Sequence, residues 1–131
     1  MGLPTQQKYI DNAEASLGLS LPSWLKTRLL RENGGEIEAG DDIWQLFSVL
    51  DTSDRKTASR SATNIVSETK SARAWTGFPT NAIAIADNGT GDLLILLTDN
   101  IGQLGSEVYL WMHDSDDDPE RLTVSIDGGQ V

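Results

Sequence analysis

Three observations predict an α+β fold. Up to residue 73 the apolar residues recur mostly at helical spacing. Beyond residue 81 they gather into short runs of strand length. Glycine, asparagine and proline punctuate the boundaries, so helices largely precede strands. The 131 residues suffice for a real core, and without any internal repeat they read as a single domain, 1–131.

Residues 4–17 read as a first helix. Pro4 suits a first helical position, Ile10, Ala13 and Leu17 share one face, and Gly18 serves as C-cap. Pro22 opens a second helix with Leu21, Leu25 and Leu29 at four-residue spacing, and Asn33-Gly34-Gly35 stops it. Helices this close in sequence pack as neighbours. Residues 36–42 read as an acidic loop, Ile43-Trp44-Gln45-Leu46-Phe47 as a strand, and 51–60 as a polar, mobile stretch. Ala62, Ile65, Val66, Thr69 and Ala72 restore the helical period, predicting a third helix over 59–73. Strands follow at 83–86, 93–97, 108–112 and 121–126. The run at 93–97 is apolar throughout, as in a strand covered on both faces. In the next strand, Tyr109, Trp111 and His113 face one way and Val108, Leu110 and Met112 the other.

Charge is the most informative property of the composition. The net charge is −10. Residues 1–75 carry ten acids and nine bases, net −1, whereas 76–131 carry ten acids against Arg121 alone, net −9. Such a field repels nucleic acid and anionic membranes and attracts basic partners, and it also simply keeps a protein dispersed. No apolar run is long enough to span a membrane, and residues 1–20 lack the apolar core of a secretory signal. The absence of cysteine excludes disulfides, thiolate catalysis and cysteine-bound zinc. It permits a cytoplasmic location, which is the expectation here.

Two stretches invite a ligand reading. In Asp87-Asn88-Gly89-Thr90-Gly91-Asp92, two carboxylates and two glycines lie between strands. A phosphate loop needs a lysine and a helix after its glycines, and an EF-hand needs oxygens at alternating positions and a glutamate at the twelfth. Neither pattern is present. Asn88-Gly89 favours positive φ, Gly91 fits a bulge, and Asp87 or Asp92 can accept from loop N–H groups, so the stretch reads as a structural turn. In the second stretch, Asp114, Asp116 and Asp118 alternate like the start of a calcium loop. Pro119 replaces the needed glycine and Ser125 the needed glutamate. Asp114, Asp116, Asp117, Asp118 and Glu120 therefore read as a solvated acidic segment and, functionally, as bait for a basic protein.

Catalysis finds little footing. His113 is the only histidine, so a triad is ruled out and a two-histidine metal site is incomplete. The carboxylates form no recognisable acid–base pair in an apolar setting. The expectation is a non-enzymatic protein with no cofactor and no metal. Of Trp24, Trp44, Trp75 and Trp111, most should be core, leaving one or two as exposed binding anchors.

Taken in order, several features resemble one family. They are Leu17-Gly18, Leu21-Pro22, Asn33-Gly34-Gly35, Trp44, Pro79, Ile85-Ala86-Asp87-Asn88-Gly89 through Gly91-Asp92, and Val108 to Trp111 followed by His113-Asp114. From about Tyr9 to Asp114 the chain resembles the SUKH superfamily, which includes the yeast Smi- and Knr-type cell-wall regulators and many bacterial proteins. The resemblance implies a twisted, mainly antiparallel sheet packed with about three helices. It also implies, as in many bacterial members, an immunity protein that binds and neutralises a polymorphic or contact-dependent toxin, often a nuclease. The fungal members resemble signalling scaffolds instead, which leaves a regulatory scaffold as the alternative. No catalytic residue carries over. Many members continue into a C-terminal helix, whereas here residues 122–131 read as a strand and a short tail. The implied partner, a basic toxin domain, agrees with the charge: a nuclease is basic where it grips phosphate, and an inhibitor gains by presenting carboxylates there.

Overall fold

The computed structural model describes residues 4–99, 103–113 and 118–125. Among the described residues, four helices, α1 (Gln7–Leu17), α2 (Ser23–Arg31), α3 (Arg55–Arg60) and α4 (Ile65–Ala72), accompany seven strands. The strands are β1 (Glu36–Ala39), β2 (Asp42–Leu46), β3 (Ala82–Asp87), β4 (Leu93–Leu97), β5 (Val108–Trp111), β6 (Glu120–Leu122) and β7 (Val124–Ser125). They form one sheet in the order β6-β5-β4-β3-β2-β1-β7, and every strand pairing is antiparallel. The expected α+β class is the class observed.

Thr123 alone separates β6, at one edge of the sheet, from β7, at the other. The sheet must therefore curl until its edges meet at this residue, and the Thr123 carbonyl accepts from the Gly40 N–H at 3.0 Å. The strand expected at 121–126 is thus two short strands serving two different neighbours.

The ends of α1 and α2 follow their punctuation, but α1 packs on α4 and not, as their closeness in sequence predicts, chiefly on α2. Gly18 takes a left-handed conformation and donates its N–H to the Glu14 carbonyl. The Glu14 carboxylate then accepts from Leu21 N–H at 2.7 Å and lies 3.7 Å from the Lys26 ammonium, which ties α1 to the start of α2. Pro22 is the N-cap of α2. Pro4 is not the first residue of α1, which begins three residues later after Gln6. Thr5 instead turns inward and donates to the buried Asp51 carboxylate at 2.7 Å.

Three further expectations are corrected. Residues 36–39 are a strand, because Ile37 and Ala39 alternate with Glu36 and Glu38 and bury one face. The polar stretch at 51–60 contains α3, started by Asp54, whose carboxylate accepts from Thr57 N–H at 2.8 Å. The helix expected at 59–73 begins only at Ile65. Residues before it are occupied otherwise: Asn64 pairs with Ser48 in a parallel bridge and caps α4 reciprocally with Ser67.

The core lies around β3 and β4. Ala82 to Ala86 and Leu94 to Leu96 are all at most 1 % exposed, so both faces are covered there. Helix α4 packs on β3, and α1 on α4. Arg28 is buried at the end of α2, where its guanidinium donates to the carbonyls of Glu32 and Glu36 and pairs with the Glu32 carboxylate, fixing the helix to β1.

Candidate functional site

The β3–β4 connection holds its shape through its own residues. Asp87 closes β3. The Asn88 side-chain oxygen accepts from Thr90 N–H at 3.1 Å and from the Thr90 hydroxyl at 2.6 Å. Gly89 and Gly91 have φ of 85° and 98°, in the left-handed region. Gly91 meets a second demand, since a Cβ there would lie 2.8 Å from the His113 ring. Asp92 also approaches that ring, its oxygen 3.5 Å from Nδ1.

Beyond β5, His113 and Trp111 both meet Trp75 edge to face, with centroids 5.1 and 6.1 Å away, and Phe78 closes on Trp111. Trp44 and Trp111 are buried and Trp24 is partly buried, whereas Trp75 is 44 % exposed in its aromatic setting. Of the acidic segment, Asp118 is exposed and Glu120 opens β6, also exposed. Asp114, Asp116 and Asp117 lie outside the described residues.

A cleft of about 380 Å³ lies between the sheet and α3. Gln45 and Asp87 come to it from the sheet, Thr57 and Arg60 from α3, and Asn33, Gly34 and Gly35 from the turn after α2. Asp51 lines it too, with its carboxylate already engaged by Thr5 and by Ser53 N–H. Burial pushes the Asp51 carboxyl upward, but the hydrogen bonds from Ser53 and Thr5 outweigh it and hold the group below the ordinary aspartate range. Asp87 is in the opposite state, raised by burial. Glu68 on α4 is raised by burial and then by the neighbouring Asp87 charge.

Sequence reasoning missed this cleft and the exposed side of β1–β2 beside it. The readable signal was the acidic–apolar alternation Glu36-Ile37-Glu38-Ala39, which marks a half-buried strand. Among the described residues no three histidine, aspartate or glutamate side chains gather as a metal set, and no helix is long and apolar enough to cross a membrane.

Comparison with curated proteins and with solved structures gives no significant match. The model of the SMI1 / KNR4 family (SUKH-1) matches residues 4–127, a span that takes in the four helices and the whole sheet. The chain belongs to the SMI1 / KNR4 family (SUKH-1).

Proposed function

We propose that this domain is a non-enzymatic, cytoplasmic protein-binding module that neutralises a cognate polymorphic or contact-dependent toxin by direct contact. The observation that carries the reading is the net charge of −10 on a domain of this family. Acidic surface is what an inhibitor of a basic, phosphate-gripping enzyme presents. The segment Asp114, Asp116, Asp117, Asp118 and Glu120 supplies five of the carboxylates and serves to steer the encounter.

Co-expression tests the reading. The product of the adjacent gene, expressed alone, should arrest growth, and this chain expressed with it should restore growth. Restored growth with no complex between the two proteins contradicts direct neutralisation. A complex with a partner that is harmless when expressed alone identifies the regulatory scaffold instead.

A further inference from the structure

The register of the sheet sorts β1 and β2 into two unlike faces. Ile37, Ala39, Trp44 and Leu46 point to one side and are at most 4 % exposed. Glu36, Glu38, Ile43 and Gln45 point to the other, and all four are exposed, Ile43 at 58 %. Gln45 sits opposite Asp87, so this outer face runs on to the end of β3. There it meets the cleft beneath α3, and α4, which packs on β3, carries Glu68, a carboxylate of the same sign as Asp87. The result is one uncovered sheet face with an apolar centre, a carboxylate border and a cavity at one end.

Two properties set this face apart from an ordinary solvated sheet. Ile43 is the most exposed large hydrophobic side chain among the described residues, on a strand whose other apolar members are buried. The carboxylates around it also lack cations: among the described residues, Glu36, Glu38, Glu68 and Asp87 form no salt bridge. Arg60, across the cleft, is the one cation among the cleft's lining residues. Glu36 accepts instead from the Gln45 amide at 3.1 Å, its neighbour across the strand pair.

We propose that the outer face of β1–β2, extended by Asp87 and Glu68, is the seat for a lysine- or arginine-bearing protein surface. It rests on the toxin-binding reading and names the surface that reading leaves open. Glu36, Glu38 and Asp87 pair with the incoming cations, and Ile43 contacts the apolar residue between them. A guanidinium entering beside Asp87 pairs with a carboxylate that no salt bridge among the described residues engages. Nucleic acid is disfavoured by the same charges.

The probe is a short, soluble peptide of arginine and leucine, titrated into the labelled full chain at low salt and followed by amide chemical shifts. The largest shifts should fall on residues 36–38, 43–45 and 87. Glu36→Gln/Glu38→Gln/Asp87→Asn should weaken binding by roughly tenfold, and Ile43→Ser by several-fold at unchanged charge. Asp118→Asn/Glu120→Gln should change it by less than about twofold. Thermal melts confirm that each variant is folded, and the Ile43 substitution, being on the surface, guards against a charge variant that fails to fold. Three results overturn the proposal: no saturable binding to the wild type, shifts centred on 118–122, or equal losses in both sets of charge variants. Each leaves the neutralisation reading standing, since growth rescue is scored without reference to any surface. Failed rescue likewise leaves the peptide map standing.

Discussion

The Thr69 hydroxyl of α4 accepts a hydrogen bond from the Ala84 N–H of β3 at 2.9 Å, at the point where β3 slips register against β4. The irregularity leaves a ladder donor to be satisfied from outside the sheet, and both residues are at most 1 % exposed, so water cannot do it. One side chain thereby fixes where α4 sits over the central strands.

Thr69→Val keeps the shape and removes the partner, so it should cost about 1–3 kcal/mol through the unsatisfied Ala84 donor. Thr69→Ser should recover most of that. Urea denaturation gives the energies, and amide exchange at Ala84 should quicken in the valine variant. A valine variant as stable as wild type would show that Ala84 finds another acceptor.

Gly89 and Gly91 should not be equivalent. Gly89→Ala meets open space and pays only for positive φ, about 1 kcal/mol. Gly91→Ala also drives a methyl into the His113 ring, which Trp75 backs, and should cost distinctly more. Adding His113→Ala to Gly91→Ala should return the clash component and leave the backbone component. Equal denaturation midpoints for the two alanine variants would refute this account of the loop.

The acid limb of stability has two opposing contributions. Asp51 holds its proton less tightly when folded, so its stabilisation is full above the ordinary carboxylate value of about 4 and is lost as pH falls through its lower folded value. Asp87 and Glu68 hold theirs more tightly when folded, so ionising them costs stability as pH rises through the range just above their ordinary values. Asp51→Asn should lower the melting temperature at neutral pH, with the deficit closing in strong acid. Asp87→Asn should raise it at neutral pH, with the gain shrinking toward about pH 4. Parallel melting curves against pH for the two variants would contradict the assignment.

Steering by the acidic segment predicts a rate effect. Asp116→Asn/Asp117→Asn/Asp118→Asn should slow association with a captured basic partner more than it speeds dissociation. The wild-type on-rate should fall as salt rises through roughly 0.15 M, where screening reaches about 8 Å. Stopped-flow mixing measures both, and an unchanged rate with an unchanged salt slope would remove the segment from recognition.

Local signals made much of the fold legible in the sequence. Gly18 and Pro22 delimit helices through their own backbone preferences, and Leu93 to Leu97 forms the strand its unbroken apolar run predicts. Long-range partnerships were not legible. Asn33, read as part of a helix stop, uses its amide to bond both the N–H and the carbonyl of Val49 at 2.9 Å, a pairing no spacing rule reveals. The split of the final strand around Thr123 depends on a curled sheet whose edges meet, which only the assembled sheet shows. The outer face of β1–β2 was hidden for a related reason. Its acidic residues read as loop polarity until Ile37 and Ala39 are seen buried behind them.

Direct binding is the central property of the proposed function. Its most direct measurement is a calorimetric titration of this chain into the purified product of the adjacent gene, with that protein's toxic activity assayed on the same samples. The predicted result is saturable one-to-one binding, weakened by salt, with activity lost in proportion to the complex formed. Binding that leaves the activity intact, or no binding at all, would contradict it.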